Sequence, residues 1–147
     1  MSKRMENLPK VLVIGVLVLG AGSIASRMLV TKSDAAAGGV RVIIPARLSA
    51  KAQVGKVAFD ANCGQCHGAN AAGTGNGPPF VHPIYNPGHH PDAAFFQAAH
   101  QGVPQHHWNF GDMPAQPQVG DADLDAIVAY VRELQHANGI FYQEHRM

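Results

Sequence analysis

Two thiols and an imidazole stand together at Cys63-Gly64-Gln65-Cys66-His67, inside "FDANCGQCHGANAAG", and no other cysteine occurs in the 147 residues. Four chemistries use such a pair. A disulfide across three positions closes a very small loop and stabilises little. A thioredoxin-like redox pair follows a strand in a βαβ setting, which the flanking sequence lacks. A structural zinc site takes four ligands, normally with a second pair at a distance, and there is no second pair here. The fourth is attachment of a c-type haem, whose signature is Cys-x-x-Cys-His. Thiols three positions apart lie on the same side of one helical turn, so Cys63 and Cys66 can each bond one vinyl group of a single porphyrin. His67 then brings its imidazole under the ring to bind iron. The motif is read as the site of one covalent haem c.

Haem of this kind is attached outside the cytoplasm in bacterial systems, and the N-terminus is built for export. "MSKRMENLPK" precedes "VLVIGVLVLGAGSIASRMLV", in which Arg27 is the only charge. At about 1.5 Å per helical residue this segment spans roughly 30 Å, the thickness of a bilayer's hydrocarbon core. Lys3, Arg4 and Lys10 place the start of the chain in the cytoplasm, and Arg27 can extend its charge to the opposite interface. The expectation is one transmembrane helix within residues 1–30. A cleaved signal peptide is the competing reading, with small-residue sites at Ser23-Ile24-Ala25 or Ala35-Ala36-Ala37. Both deliver the rest of the chain to the periplasmic side.

Charge divides along the same line. Residues 1–33 carry five basic groups against Glu6, whereas residues 34–147 carry six basic and nine acidic groups. No Lys or Arg occurs between Lys56 and Arg132. This middle region has no cations to neutralise phosphates, so nucleic acid is not an expected partner.

The exported part is expected to be all-α. Residues 31–48 are rich in small residues and read as a tether, although "VRVII" could be a short strand or apolar residues laid on the domain. Residues 49–147 form the haem domain. Ser49 caps a first helix over 50–62, with Ala50, Val54, Val57, Ala58 and Ala61 as a weak apolar face. Gly-, Pro- and Asn-rich residues 68–90 exclude continuous regular structure. "PDAAFFQAAHQG" predicts a second helix over 91–101. In "GDADLDAIVAYVRELQHANG", Asp121 is placed to cap a last helix that ends at Asn138-Gly139. Leu124, Ile127, Val128, Val131 and Leu134 form its apolar stripe. Three such helices make a small core, which a haem would complete.

From the motif outward, the chain resembles the class I cytochromes c, small and His/Met-ligated, in a membrane-tethered bacterial form. The resemblance covers about residues 48–138 and rests on Gly55, Phe59, "CGQCHG", "GPPF" at 77–80, "GDMP" at 111–114 and "IVAYV" at 127–131. The haem motif is specific; the others count by their order. The resemblance implies a cytochrome c fold with three or more helices and long loops around the covalent haem. It implies Met113, in the loop before the last helix, as the iron ligand opposite His67, against the alternative of a core Met on an apolar surface. It also implies that the Pro78 carbonyl accepts from His67 Nδ1–H, or else that Pro78 only stiffens its loop. Gly55 and Phe59 are expected to meet Tyr130 where the first and last helices cross. Trp108 either contacts the haem, at a propionate or as a wall, or packs in the core.

His82, His89, His90, His100, His106 and His107 are further possible ligands, to iron or to a second metal. Adjacent histidines point apart in most backbones, and two isolated pairs chelate poorly unless the fold unites them. They are read as polar loop surface, with metal binding or pH-responsive docking as alternatives. The Asp121, Asp123 and Asp125 group is read as a solvated helix start.

Iron closed on both faces suits one-electron transfer and not substrate turnover. The resemblance implies a non-enzymatic carrier between a quinol-oxidising complex or dehydrogenase and a terminal oxidase, at the periplasmic face of the inner membrane. Two other classes stay open. One is a haem enzyme or gas sensor with an open iron position; the other is a histidine-rich copper or zinc protein that also carries haem.

Overall fold

Ser49 begins the first helix as its composition predicts, its Oγ accepting from Ala52 N–H at 3.1 Å. The computed structural model describes residues 39–144, and within them the order is α1 (Ala50–Asn62), α2 (Gly64–His67), α3 (Asp92–Gln101) and α4 (Asp121–Ala137). Short 3-10 turns occupy Ala69–Ala71 and Pro83–Tyr85. Extended pairing among the described residues is confined to an isolated antiparallel bridge between Val103 and Met113. The all-α expectation therefore holds for this part of the chain. No helix of the described residues is long and apolar enough to cross a membrane; the span expected within residues 1–30 lies outside them.

The crossing of α1 and α4 is the centre of the core. Ala52, Gly55 and Phe59 are buried from α1, and Leu124, Ile127, Val128, Tyr130, Val131 and Leu134 from α4. The stripe expected on α4 is thus the buried one, but the face expected on α1 is not. Val54 and Val57 are 59% and 72% exposed. Closeness decides this, because the axes meet at Gly55, where a Cβ would stand 1.8 Å from the Ala126 carbonyl oxygen. Only the face carrying the glycine can approach so near, and the two valines are turned away from it. One turn further on, Phe59 meets Tyr130 edge-on with centroids 5.6 Å apart, a pairing worth about 0.5–1.5 kcal/mol beyond the area it buries.

Two further expectations shift. Asp121 is the first helical residue of α4, and Gly120 takes the cap position without a side-chain bond. Asp121 instead pairs with His100 Nε2 at 3.1 Å, and Asp125 with Lys51 at 2.6 Å. These exposed contacts contribute little to stability. Residues 40–43, within the stretch read as a tether, lie on the domain, which is the last of the readings open for "VRVII". Val42 is buried, Val40 N–H donates to Ala72 O at 2.7 Å, and Ile43 exchanges bonds of 2.7 and 2.8 Å with the Asn138 side chain. Asn138 thereby ends α4 and secures this segment in one step.

Gln135 is a polar residue fully buried beside the α4 stripe. Its amide donates to Phe80 O at 2.9 Å and Tyr85 O at 3.0 Å, and its carbonyl accepts from Arg132 Nη1 at 2.7 Å. It closes the backbone of the Gly-, Pro-rich loop onto the core. Gln135→Leu should lower stability by about 2–4 kcal/mol, since it strands the Phe80 carbonyl, leaves Tyr85 O with Arg132 Nη1 alone and removes a partner from Arg132. Denaturant midpoints of the haem-loaded proteins check this, and an unchanged midpoint would show the loop is secured elsewhere.

Candidate functional site

The α1 helix hands the chain to the site through Cys63, whose N–H bonds Phe59 O at 2.8 Å. The single turn of α2 follows, with His67 N–H on Cys63 O at 2.9 Å. Cys63, Cys66 and His67 therefore share one short helical segment, the arrangement their spacing predicts. Gly68 then turns the chain with φ +76°, and a Cβ there would stand 2.4 Å from Gly73 O. The reversal lets Gly73 N–H reach His67 O at 2.7 Å. Loop 68–80 is thereby folded back over the imidazole.

That fold-back brings Pro78 to His67. His67 Nδ1 lies 2.9 Å from Pro78 O. A carbonyl only accepts, so Nδ1 carries the proton and Nε2 keeps its lone pair for a metal. The ring is buried and stacks on Phe80 at 4.1 Å between centroids. Burial holds its pKa below the usual histidine value, opposed by the bond to Pro78. A neutral, oriented imidazole is the form that binds iron.

Both thiols are free; Cys66 is exposed and Cys63 partly buried. Burial, with a smaller contribution from Cys66, pushes the Cys63 thiol up to about 11. Before attachment it is a protonated thiol at neutral pH and not a reactive thiolate.

Met113 and Trp108 come from a separate loop between α3 and α4. Met113 is half-buried and exchanges two 2.9 Å backbone bonds with Val103. Gly102 passes so near that a Cβ would stand 2.5 Å from Met113 O. The methionine backbone is therefore fixed, followed by Pro114. Trp108 packs edge-on against His82 at 5.0 Å between centroids. Its Nε1–H is buried without a hydrogen-bond partner. It lies near enough to the Tyr85 hydroxyl to oppose the upward push that burial gives Tyr85, yet forms no regular bond with it. Tyr85 in turn packs edge-on against Phe80 with centroids 5.2 Å apart, so rings connect the Trp108 loop to the His67 stack.

These residues fit a haem. Two free thiols and a neutral imidazole with an available Nε2 share one turn, and an orphaned buried indole N–H offers a donor to a polar group. Tyr85, Gln135 and Arg132 are supporting residues that spacing did not reveal. Tyr85 and Gln135 act through contacts far along the chain, and no local pattern marks them.

Fold and site together define a small helical domain built to carry a covalently attached haem. The family model for cytochrome c matches residues 52–135, more than half of the chain, and the chain belongs to the cytochrome c family. Its chemistry is therefore haem-based electron transfer. A search of curated proteins found no match, and none was found among solved structures.

Proposed function

We propose that the protein is a one-electron carrier with a single haem c, acting at the periplasmic face of a bacterial inner membrane and not as an enzyme. It takes electrons from a quinol-oxidising complex or a dehydrogenase and passes them to a terminal oxidase or similar acceptor. The observation that carries this reading is His67, a neutral buried imidazole held through Nδ1 by Pro78 O at 2.9 Å, directly after two free thiols. When bound, the haem supplies the Fe(II)/Fe(III) couple. Cys63 and Cys66 would hold it covalently, and His67 and Met113 would ligate the iron; a thioether ligand raises the potential. Pro78 keeps the histidine in one tautomer and one orientation. Trp108 Nε1–H would be available as a donor to a polar group of the cofactor.

The N-terminal sequence supports the location: a basic start, then an apolar segment long enough to cross a bilayer. Retained as an anchor, it raises the carrier's effective concentration at membrane partners. Encounters are small and weak, as is usual for redox pairs. With no Lys or Arg between Lys56 and Arg132, the docking face is apolar or histidine-lined, and steering by a basic ring has no basis.

Spectra test the assignment. The ferric protein should show the weak far-red band of Met ligation, and the reduced protein should take up CO slowly or not at all. Met113→Ala should abolish that band, retain covalent haem and admit CO. Rapid CO binding by the unaltered protein would favour an open-iron enzyme or sensor.

A further inference from the structure

The two histidine pairs, expected to point apart as isolated pairs, are brought together by the fold. Asn86 builds the first turn: its carbonyl accepts from both His89 and His90 N–H at 3.0 and 2.9 Å, while its Oδ1 accepts from Gly88 N–H at 2.9 Å. Arg132 Nη2 ties the His90 carbonyl to α4 at 2.6 Å. On the facing loop, Gln105 N–H donates to Asp112 Oδ1 at 2.9 Å, and Gly111 N–H to Gln105 Oε1 at 3.0 Å, which closes the turn holding His106 and His107. Two braced turns thus face each other with imidazoles between them.

We propose that His89, His90 and His107 form a binding site for one divalent transition-metal ion of the imidazole-seeking class, zinc or copper(II), distinct from the haem. One ligand atom from each of the three lies within 4.8 Å of the other two. His89 Nε2 and His107 Nε2 are 3.2 Å apart. Two nitrogens on a tetrahedral ion with bonds of about 2.0–2.1 Å stand about 3.3 Å apart, so this pair already has the spacing of a tetrahedral edge. His90 adds the orientation such a site needs: its Nδ1 faces Ile84 O at 2.8 Å, so it donates there and directs the Nε2 lone pair elsewhere. An imidazole held by a backbone carbonyl through its other nitrogen is the usual support of a metal-ligating histidine. His107 is exposed and His89 and His90 partly so, which gives an ion access from solvent. A water takes the fourth position; His106, its Nδ1 at 2.9 Å from Pro104 O, is not one of the three converging ligands. Imidazole suits both ions, and the divalent series favours copper(II) over zinc at equal supply. Without an ion, the His89–His107 pair shares one N–H···N bond, and binding replaces it.

The haem-loaded full chain, stripped with chelator, is titrated separately with zinc chloride and copper(II) chloride by calorimetry. The expected result is one equivalent bound, with affinity lowered roughly 100-fold or more in His89→Ala/His107→Ala, beyond the loss from removing an outer partner. The haem spectrum of that variant should be unchanged, and His136→Ala, at a histidine outside the cluster, should bind normally. If the double variant does not retain its haem, the single substitution His107→Gln at an exposed position decides in its place. Equal affinity in the informative variant, or no binding of either ion by the stripped protein, overturns the proposal. If the variant lowers the affinity for one ion only, the site is assigned to that ion.

Discussion

Replacing both Cys63 and Cys66 by serine, with a working haem-ligation system present, should leave a chain that shows no haem after denaturing electrophoresis. The signal falls to background because a hydroxyl cannot form the thioether bond. Each single variant keeps one attachment and a reduced yield. The effect extends to stability. Cys63 packs against the buried cluster that contains Phe59 and Tyr130, so the cofactor is anchored at the edge of the core. A thermal midpoint well below that of the haem-loaded protein is expected. Persistent covalent haem in the double variant would remove the basis of the whole site, since the chain holds no other cysteine.

Gly55→Ala should be the most damaging substitution away from the haem motif. In an ordinary helix this exchange gains about 1 kcal/mol. Here the added methyl would stand 1.8 Å from Ala126 O and 2.3 Å from its carbonyl carbon. Both are backbone atoms of α4, so no rotamer change relieves the contact and the helices must separate. Separation also loosens the Phe59–Tyr130 contact, 5.6 Å between centroids. The net loss should be about 3 kcal/mol or more, above the usual range for one added methylene. Val57→Ala provides the comparison on the same helix: that residue is 72% exposed, and its loss should stay within about 0.5 kcal/mol. Chemical denaturation of both variants measures the difference. A Gly55→Ala protein as stable as the parent would mean that the two helices are not held at this distance.

How much of this was legible depended on the range of the interaction. Helix α4 could be read because its stripe repeats within one element, and any fold that buries it buries those residues. Ser49 could be read because a cap bonds three residues on. The haem site was legible for the same reason: Cys63, Cys66 and His67 need only one helical turn to converge. Pro78 lay further away, and resemblance proposed it before the fold-back at Gly68 showed how its carbonyl reaches His67. On α1, by contrast, composition favoured a face with Val54 and Val57. The buried face was set by Gly55, whose value lies in what it lacks.

The amino-acid sequence by itself determined the chemistry, through one motif whose atoms converge locally, and the helices that the motif and stripe require. The tertiary structure decided the rest: which face of α1 is covered, that residues 40–43 lie on the domain, and that Gln135 closes a loop onto the core. It also decided that histidines eighteen positions apart share a space. Such contacts join residues whose separation along the chain carries no periodic signal. Their free energy depends on distances set only once loops have closed and helices have met.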